Sequence, residues 1–192
     1  MSAIVINLNP VIQLTQEQFQ QLCQENPDLK LERTANGELV IMPPTGGETG
    51  KSNSKMNLQL GLWNEKTQLG EVFDSSTGFT LPNGADRSPD ASWVERSRWN
   101  ALTPEQREKF IPLCPDFVIE LLSPSDNLRK AQAKMQEYME NGCRLGWLVN
   151  RTQQEVEIYR LNQAVEVLKS PEFISGEDVL PGFTLNLKKI WA

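Results

Sequence analysis

An apolar run of strand length near the middle of the chain places the strongest constraint on the fold. Residues 117–122 read Phe-Val-Ile-Glu-Leu-Leu, a pattern typical of a strand that is buried on both faces. The residues after Asp126 have helical spacing to about Asn141, where Gly142 ends the helix, and residues 146–150 form a second apolar run. A strand, a helix and a strand in this order predict a right-handed parallel crossover, with residues 117–122 as the central strand.

The segments before residue 70 predict a helix, a hairpin and a second helix. The capping-box pattern at residues 15–18 predicts a short helix that stops at Asn26-Pro27. Asn36-Gly37 separates two alternating apolar segments, which predicts a β-hairpin. The spacing of apolar residues over 48–69 predicts a long helix with Glu48 in its first turn.

Weaker patterns predict the remaining helices and strands of the chain. Residues 72–94 predict two antiparallel strands, and Thr103-Pro104 predicts the start of a short helix. The alternation at residues 156–158 and 165–167 predicts further strands at the edge of the sheet. The sequence therefore predicts an α/β (α+β) fold with a central mixed sheet flanked by helices, an N-terminal helix and hairpin, and C-terminal edge strands. Since no repeat or linker interrupts the 192 residues, we expect one domain over residues 1–192.

Composition excludes several kinds of chemistry. The chain has no histidine, which removes Ser-His-Asp triads, His general bases and His-ligated zinc. Its three cysteines contain no CxxC pair, which argues against a zinc ribbon and fits a reducing compartment. The formal charge of −6 argues against a generally basic nucleic-acid surface, so any such contact must be local. Without a basic leader or a long apolar stretch, we expect a cytoplasmic protein with no membrane contact.

Glu120 interrupts the predicted central strand. Period-two alternation places it on one face with Asp116, Val118 and Leu122. A buried, unpaired carboxylate is very costly, so Glu120 needs a cation, hydrogen-bond donors or a metal ion. The structural interpretation is a salt bridge to Arg87 or to a lysine.

Asp90 supplies a second carboxylate on the preceding strand. If the two strands pair, Asp90 and Glu120 lie side by side, and two like charges about 4 Å apart repel by about 4 kcal/mol at an effective dielectric of about 20. A shared cation removes this repulsion, and Mg²⁺ prefers such oxygen ligands. Alternatively, Asp90 is a turn residue after Pro89.

Lys134 lies on the margin of the apolar stripe predicted for the helix after Asp126, whereas Lys130 lies further round. Its stem can be buried while its ammonium group reaches inward. The cation could stabilise a phosphoryl transition state or orient an attacking water. The alternative is an ordinary solvated lysine.

Pro89-Asp90 followed thirty residues later by Glu120 resembles the PD-(D/E)XK nuclease motif. A wider set of segments resembles the Uma2 family of restriction endonucleases within that superfamily, over nearly the whole chain. These segments are Met42-Pro43-Pro44-Thr45-Gly46-Gly47-Glu48, Thr77-Gly78-Phe79, Arg87-Ser88-Pro89-Asp90, residues 115–125, Lys134 with Tyr138 and Gly142, Trp147-Leu148-Val149 and Leu180-Pro181-Gly182-Phe183.

The resemblance implies roles for individual residues. Asp90 and Glu120 would bind Mg²⁺ or Mn²⁺, and Glu48 would be the accompanying acid on the helix. The motif's lysine is replaced by Leu122, so its catalytic role passes to Lys134, as in relatives whose lysine lies on the following helix. Asp116 is a possible further ligand.

Three further residues are predicted to contact the substrate. They are Arg87, Ser125 and Lys130.

The leading functional hypothesis is a Mg²⁺-dependent endonuclease that hydrolyses DNA phosphodiester bonds with a metal-activated water and, by family analogy, acts as a homodimer. A catalytically inactive nuclease fold that serves as a binding or assembly module is the alternative, favoured by Leu122 and the acidic composition. A hydrolase of small phosphorylated molecules is a third possibility. Six cations could form a local basic patch or could be scattered: Lys51, Lys55, Arg96, Arg98, Lys130 and Lys134.

Overall fold

A computed structural model describes residues 3–191 of the chain as a mixed α+β structure. The elements in chain order are β1 (Ile4–Ile6), α1 (Gln16–Glu25), β2 (Lys30–Arg33), β3 (Leu39–Met42), α2 (Gly47–Thr67), β4 (Gly70–Asp74), β5 (Phe79–Thr80), β6 (Asp86–Arg87), β7 (Ala91–Glu95), α3 (Arg96–Asn100), α4 (Pro104–Arg107), β8 (Phe117–Leu122), α5 (Leu128–Glu140), β9 (Leu145–Asn150), β10 (Glu155–Arg160), β11 (Glu166–Lys169), β12 (Phe173–Ser175), β13 (Thr184–Asn186) and α6 (Lys188–Trp191).

A six-stranded sheet in the order β11-β10-β9-β8-β7-β4 forms the centre of the molecule. β8 and β9 pair in parallel and are joined through α5, whereas every other pair in this sheet is antiparallel. The predicted parallel connection of two strands through a helix is therefore confirmed, and the predicted C-terminal strands are present, with β11 at the edge of the sheet and β10 beside it. β8 lies inside the sheet, as its apolar sequence predicts.

A second sheet, in the order β1-β3-β2-β6-β5, is built on the predicted hairpin. Two strands were predicted over residues 72–94, but the chain forms four strands in this region. β4 and β7 pair antiparallel as expected, but the chain between them contributes β5 and β6 to the second sheet. β5 and β6 are each only two residues long and lie beside the polar residues around Pro82-Asn83-Gly84, so the hydrophobic pattern of the sequence does not reveal them.

Local sequence signals explain the ends of several elements. Thr15 accepts a hydrogen bond from the Gln18 N–H in a full capping box, and Thr103 does the same for α4. Gly37 has a φ of 76°, which the tight turn between β2 and β3 requires. These positions are the ones where the sequence predicted helix starts and the hairpin turn.

The two faces of β8 pack against different helices. Phe117, Ile119 and Leu121 belong to one apolar cluster with residues of α2 and the C-terminal segment, and Val118 and Leu122 belong to another with residues of α5. Glu120 shares the second face, as the period-two alternation predicts. Its side chain is thereby directed towards α5.

Several elements have no counterpart in the sequence predictions: β1, α3, the β12–β13 hairpin and α6. Each is short, with three to five residues, so hydrophobic periodicity carries little information. Within residues 3–191, no helix is long and apolar enough to cross a membrane.

Candidate active site

A cleft of about 490 Å³ opens where the second sheet meets the carboxyl end of β8. Its walls include Met42-Pro43-Pro44 after β3, the first turn of α2 and the loop that follows β8. Acidic and basic side chains both line it: Glu48, Asp90, Glu120 and Asp126, with Lys30 and Arg151.

Asp90 and Glu120 are brought together by the pairing of β7 with β8. Ala91 lies opposite Ile119 in the antiparallel register, so Asp90, one residue earlier, lies at the level of Glu120, one residue later. An Asp90 Oδ2 atom accepts a 2.9 Å hydrogen bond from the N–H of Leu121, the residue after Glu120. The two acids thus line one cleft, with Asp90 directly before β7 and Glu120 within β8, and they lie side by side as the sequence predicts.

Two asparagines of α2 hold the Asp90 segment. Asn53 donates from Nδ2 to Asp90 Oδ1 at 3.1 Å, and Asn57 donates to the Asp90 carbonyl at 3.0 Å. The Oδ1 atoms of both asparagines are buried and have no hydrogen-bond partner among the described residues. Orphaned oxygens beside a carboxylate are suited to a cation or its bound water.

Glu120 is held by two donors from α5. Lys134 Nζ lies 2.8 Å from Glu120 Oε1, and the Tyr138 hydroxyl donates to the same oxygen at 3.0 Å. Residues 134 and 138 are one helical turn apart, so both side chains reach the same side of α5. The salt bridge that the structural interpretation of Glu120 predicts, to Arg87 or to a lysine, is therefore present, and its partner is Lys134.

Glu32 on β2 is a second carboxylate bound to Lys134. Its Oε1 atom lies 2.8 Å from Lys134 Nζ and accepts a 3.0 Å hydrogen bond from the Ser88 N–H, while its Oε2 atom pairs with Arg87 at 3.2 Å. The side chain is only 3% exposed. Lys134 therefore bridges a glutamate of the second sheet and a glutamate of the central sheet.

Arg87 extends this network away from the cleft. Its Nε atom donates to Glu137 of α5 at 2.6 Å, and its other contact is with Glu32. The Arg87 side chain is 10% exposed. Arg87 thus neutralises two internal carboxylates, and the structure does not direct it to a substrate in the cleft.

The environments of the two glutamates move their pKa values in opposite directions. Burial raises the pKa of Glu32, but the charges of Lys134 and Arg87 outweigh this and hold it at about 2. Burial raises the pKa of Glu120 to about 7, because Lys134 only partly offsets it while Asp90 and Glu32 raise it further. Burial lowers the pKa of Lys134, but Glu120 and Glu32 overcome this and raise it.

The charges of this cluster leave an excess of two negative charges when all the acids are ionised. It contains four carboxylates, Glu32, Asp90, Glu120 and Glu137, and two cations, Arg87 and Lys134. A divalent cation beside Asp90 and Glu120 would neutralise the excess. No group of three or more Asp, Glu, Cys or His side chains that could hold a metal ion occurs in the described part of the chain. Two carboxylates nevertheless fit Mg²⁺, which usually takes one or two together with water and substrate phosphate.

Comparisons with known proteins agree with this architecture. The sequence profile of the Uma2 family, described as "Putative restriction endonuclease", matches residues 16–188. The chain belongs to the Uma2 family. A search of curated proteins found no match.

A solved structure confirms the fold of this Uma2 chain. It is described as "a putative nuclease belonging to DUF820" from Anabaena variabilis, and it has 22% sequence identity and a TM-score of 0.77. The comparison covers 93% of this chain and 97% of the other. At this identity, the likeness concerns the fold alone.

The other residues predicted for the Uma2 site lie in different surroundings. Glu48 lines the cleft but is exposed, and it pairs with Lys51 at 2.7 Å and with Arg151 at 3.2 Å. Ser125 also lines the cleft, where its hydroxyl lies 3.2 Å from that of Ser123. Lys130 is exposed on the first turn of α5.

Asp116 is separated from the cleft. It lies before the opposite end of β8, four residues from Glu120, or about 13 Å along a strand. Its carboxylate accepts a hydrogen bond from the Glu95 N–H and pairs with Arg98 at 2.9 Å. The possibility that Asp116 is a further ligand of the same ion is therefore corrected: it anchors the far end of the sheet.

The six cations considered as a basic patch do not lie together. Arg96 pairs with Glu71, Arg98 pairs with Asp116, and Lys55 donates to the Lys189 carbonyl. Lys30 and Arg151 are instead the cations in the cleft, and sequence analysis missed both. Arg151 follows β9, so its position at the strand end was the available signal.

Sequence analysis also missed Glu32. Alternation assigns Leu31 to the core, and a polar residue beside it normally faces solvent. Glu32 is nevertheless buried, and its partners are Arg87 on β6 of the same sheet and Lys134 on α5. Nothing within the hairpin sequence signals these partners, which come from residues more than fifty positions away.

Proposed function

We propose that this Uma2 protein is a Mg²⁺- or Mn²⁺-dependent endonuclease that hydrolyses DNA phosphodiester bonds. One observation carries the proposal: Asp90 and Glu120 lie at one level of adjacent strands, in an open cleft, with an excess of negative charge around them. A divalent cation is the simplest partner that makes both carboxylates favourable. The family match is consistent with this activity.

Asp90 and Glu120 would hold the ion, while Asn53 and Asn57 keep the Asp90 segment in place. The bound ion would make water more acidic and offset charge on the phosphate. Lys134 orients the Glu120 carboxylate through the 2.8 Å contact and supplies a fixed positive charge near the reacting phosphate.

Lys30 and Arg151 are the cleft cations that would contact DNA phosphates. The Arg151–Glu48 pair is open to solvent on the Glu48 side, so a phosphate could replace Glu48 as the partner of Arg151. We retain Ser125 as a further substrate contact and Lys130 as a more distant one. Because the whole chain has a charge of −6, DNA contact is confined to this region.

An inactive binding or assembly module is the second candidate. The observation that favours it is the Lys134–Glu120 ion pair, which partly compensates the buried acid without a metal. Leu122, at the position of the motif's lysine, points the same way.

A plasmid assay separates the two functions. Supercoiled DNA is incubated with the protein and Mg²⁺ or Mn²⁺, alongside Asp90→Asn, Glu120→Gln and the control Glu140→Gln, which alters an exposed acid of α5. We expect metal-dependent nicking that both cleft variants lose and the control retains. Equal nicking in all four preparations, or none in any, contradicts the nuclease proposal.

We further propose that the protein acts as a cytoplasmic homodimer with residues 1–192 as one domain. Cutting both DNA strands is commonly achieved by two symmetric sites. Val167 and Phe173, each 50% exposed, offer apolar contact area on the C-terminal strands. Light scattering that gives only the 21.7 kDa mass would contradict the dimer.

A further inference from the structure

Glu32 lies between the segment that precedes Asp90 and helix α5, which carries Lys134. It accepts hydrogen bonds from the Ser88 N–H, two residues before Asp90, and from Lys134 on α5. Its second oxygen pairs with Arg87, which in turn pairs with Glu137 on α5. One carboxylate from the N-terminal hairpin thus connects the Asp90 segment to the helix that carries the lysine.

Lys134 needs such an anchor because its other partner is shared. Its ammonium group is 2.8 Å from Glu120 and 2.8 Å from Glu32, and its side chain is 15% exposed. A divalent cation at Glu120 would place two positive charges near this ammonium group and draw electron density from its partner oxygen. Without a second anion, repulsion would favour displacement of Lys134 from the site.

From this geometry we infer that Glu32 is a positioning residue that keeps the Lys134 ammonium beside the metal site when a divalent cation occupies it. The inference rests on the proposed metal site of Asp90 and Glu120. Glu32 suits this task because it is buried, touches neither the cleft nor Asp90 in the described contacts, and keeps its own charge through three donors. Its effect on the reaction passes through Lys134.

A double-mutant cycle tests whether Glu32 acts through Lys134. The cleavage rate at saturating Mg²⁺ is measured for Glu32→Gln, Lys134→Gln and the double variant. Glu38→Gln is the control, because it removes a charge from the same hairpin at a residue whose hydrogen bond is with Thr34. We expect Glu32→Gln to lower kcat about 10- to 100-fold with little change in the KM for DNA.

The double variant should be no slower than Lys134→Gln alone, since a positioning residue has no effect once the positioned group is gone. Additive losses, a loss confined to KM, or an equal loss in Glu38→Gln would overturn the inference. A purely structural role would produce additive losses.

Nuclear magnetic resonance of the wild-type protein tests the inference without relying on activity or on the folding of a variant. Scalar couplings across ammonium–carboxylate hydrogen bonds are recorded for Lys134 before and after saturation with Mg²⁺. We expect the coupling to Glu32 to persist when the metal binds, while the coupling to Glu120 weakens.

Loss of the Glu32 coupling on metal binding would overturn the inference. A persistent coupling in a protein that cleaves no DNA would support the inference while the nuclease proposal fails. If Mg²⁺ does not bind at Asp90 and Glu120, both proposals fail.

Discussion

Glu32 and Glu120 share one lysine but differ in every other neighbour. Each lies 2.8 Å from Lys134 Nζ, and their side chains are 3% and 13% exposed. Glu32 also pairs with Arg87 and accepts a hydrogen bond from a backbone N–H. Glu120 instead accepts a hydrogen bond from the neutral hydroxyl of Tyr138 and lies near Asp90. Burial alone would raise both pKa values, so the difference between about 2 and about 7 comes from their partners.

This difference separates a structural carboxylate from one that can accept a ligand. Glu32 is ionised throughout the neutral range and has its oxygens engaged by donors. Glu120 holds its proton up to about pH 7 and lines the cleft. A cation that binds in the cleft is therefore stabilised more by Glu120 than by Glu32, because the protein only partly compensates the charge of the ionised Glu120 carboxylate.

The largest expected difference between the two glutamates is in metal affinity. Glu120→Gln should weaken Mn²⁺ binding by at least about 100-fold, or about 3 kcal/mol, because it removes a ligand. Glu32→Gln should weaken it less than about tenfold, because only a nearby charge is lost. Calorimetric titration measures both, and similar losses in the two variants would contradict the comparison.

The next effect is on stability, and its sign is opposite at the two positions. Glu32 has a pKa lowered from 4.5 to about 2, so its stabilisation is full above about pH 4.5 and is lost as the pH falls towards 2. Glu120 has a pKa raised to about 7, so its ionisation costs stability as the pH rises from 4.5 to above 7. Each shift corresponds to about 3 kcal/mol.

At pH 8 and without metal, Glu32→Gln should lower the free energy of unfolding by about 3 kcal/mol. Glu120→Gln should raise it, by up to about the same amount. At pH 5.5 the effect of Glu120→Gln should almost disappear, because the wild-type acid is then protonated. Urea denaturation in the presence of a chelator gives these values; a loss of stability in Glu120→Gln at pH 8 would show that its charge is well compensated.

A smaller effect concerns the pH dependence of metal binding. A proton and the metal compete for Glu120, so the apparent affinity for Mn²⁺ should rise about tenfold per pH unit below pH 7 and level off above it. In Glu32→Gln, the affinity should level off at a lower pH, because the charge of Glu32 contributes to the raised pKa of Glu120. Titrations between pH 5.5 and 8.5 test this, and a pH-independent affinity would exclude Glu120 as the competing group.

The difference between Glu32 and Glu120 also marks how far the sequence alone could predict the site. Glu120 interrupts an apolar run in β8, and Pro89-Asp90 precedes a strand that pairs with it, so local patterns identified both acids. The parallel connection from β8 through α5 to β9 followed from the same patterns, since two apolar strands on either side of a helix permit few topologies.

The remaining parts of the site depend on contacts between distant segments. Glu32 sits 102 residues from Lys134, and its partners come from β6, the residue after it and α5. Arg87 illustrates the opposite case: it is predicted to contact the substrate, yet β6 directs its guanidinium to Glu32 and Glu137. Side-chain direction at such a junction has no periodic signal for sequence analysis to detect.

The smallest expected effect tests the neutral donor that distinguishes Glu120 from Glu32. Tyr138→Phe removes the 3.0 Å hydrogen bond to Glu120 Oε1 but keeps the buried ring. Since a single hydrogen bond contributes about 1 kcal/mol, Mn²⁺ affinity at pH 8 should change by about fivefold or less, through poorer orientation of the carboxylate. The control is Tyr159→Phe, whose hydroxyl donates to Glu157 on β10. A loss as large as that of Glu120→Gln would mean that Tyr138, and not Lys134, holds the carboxylate in place.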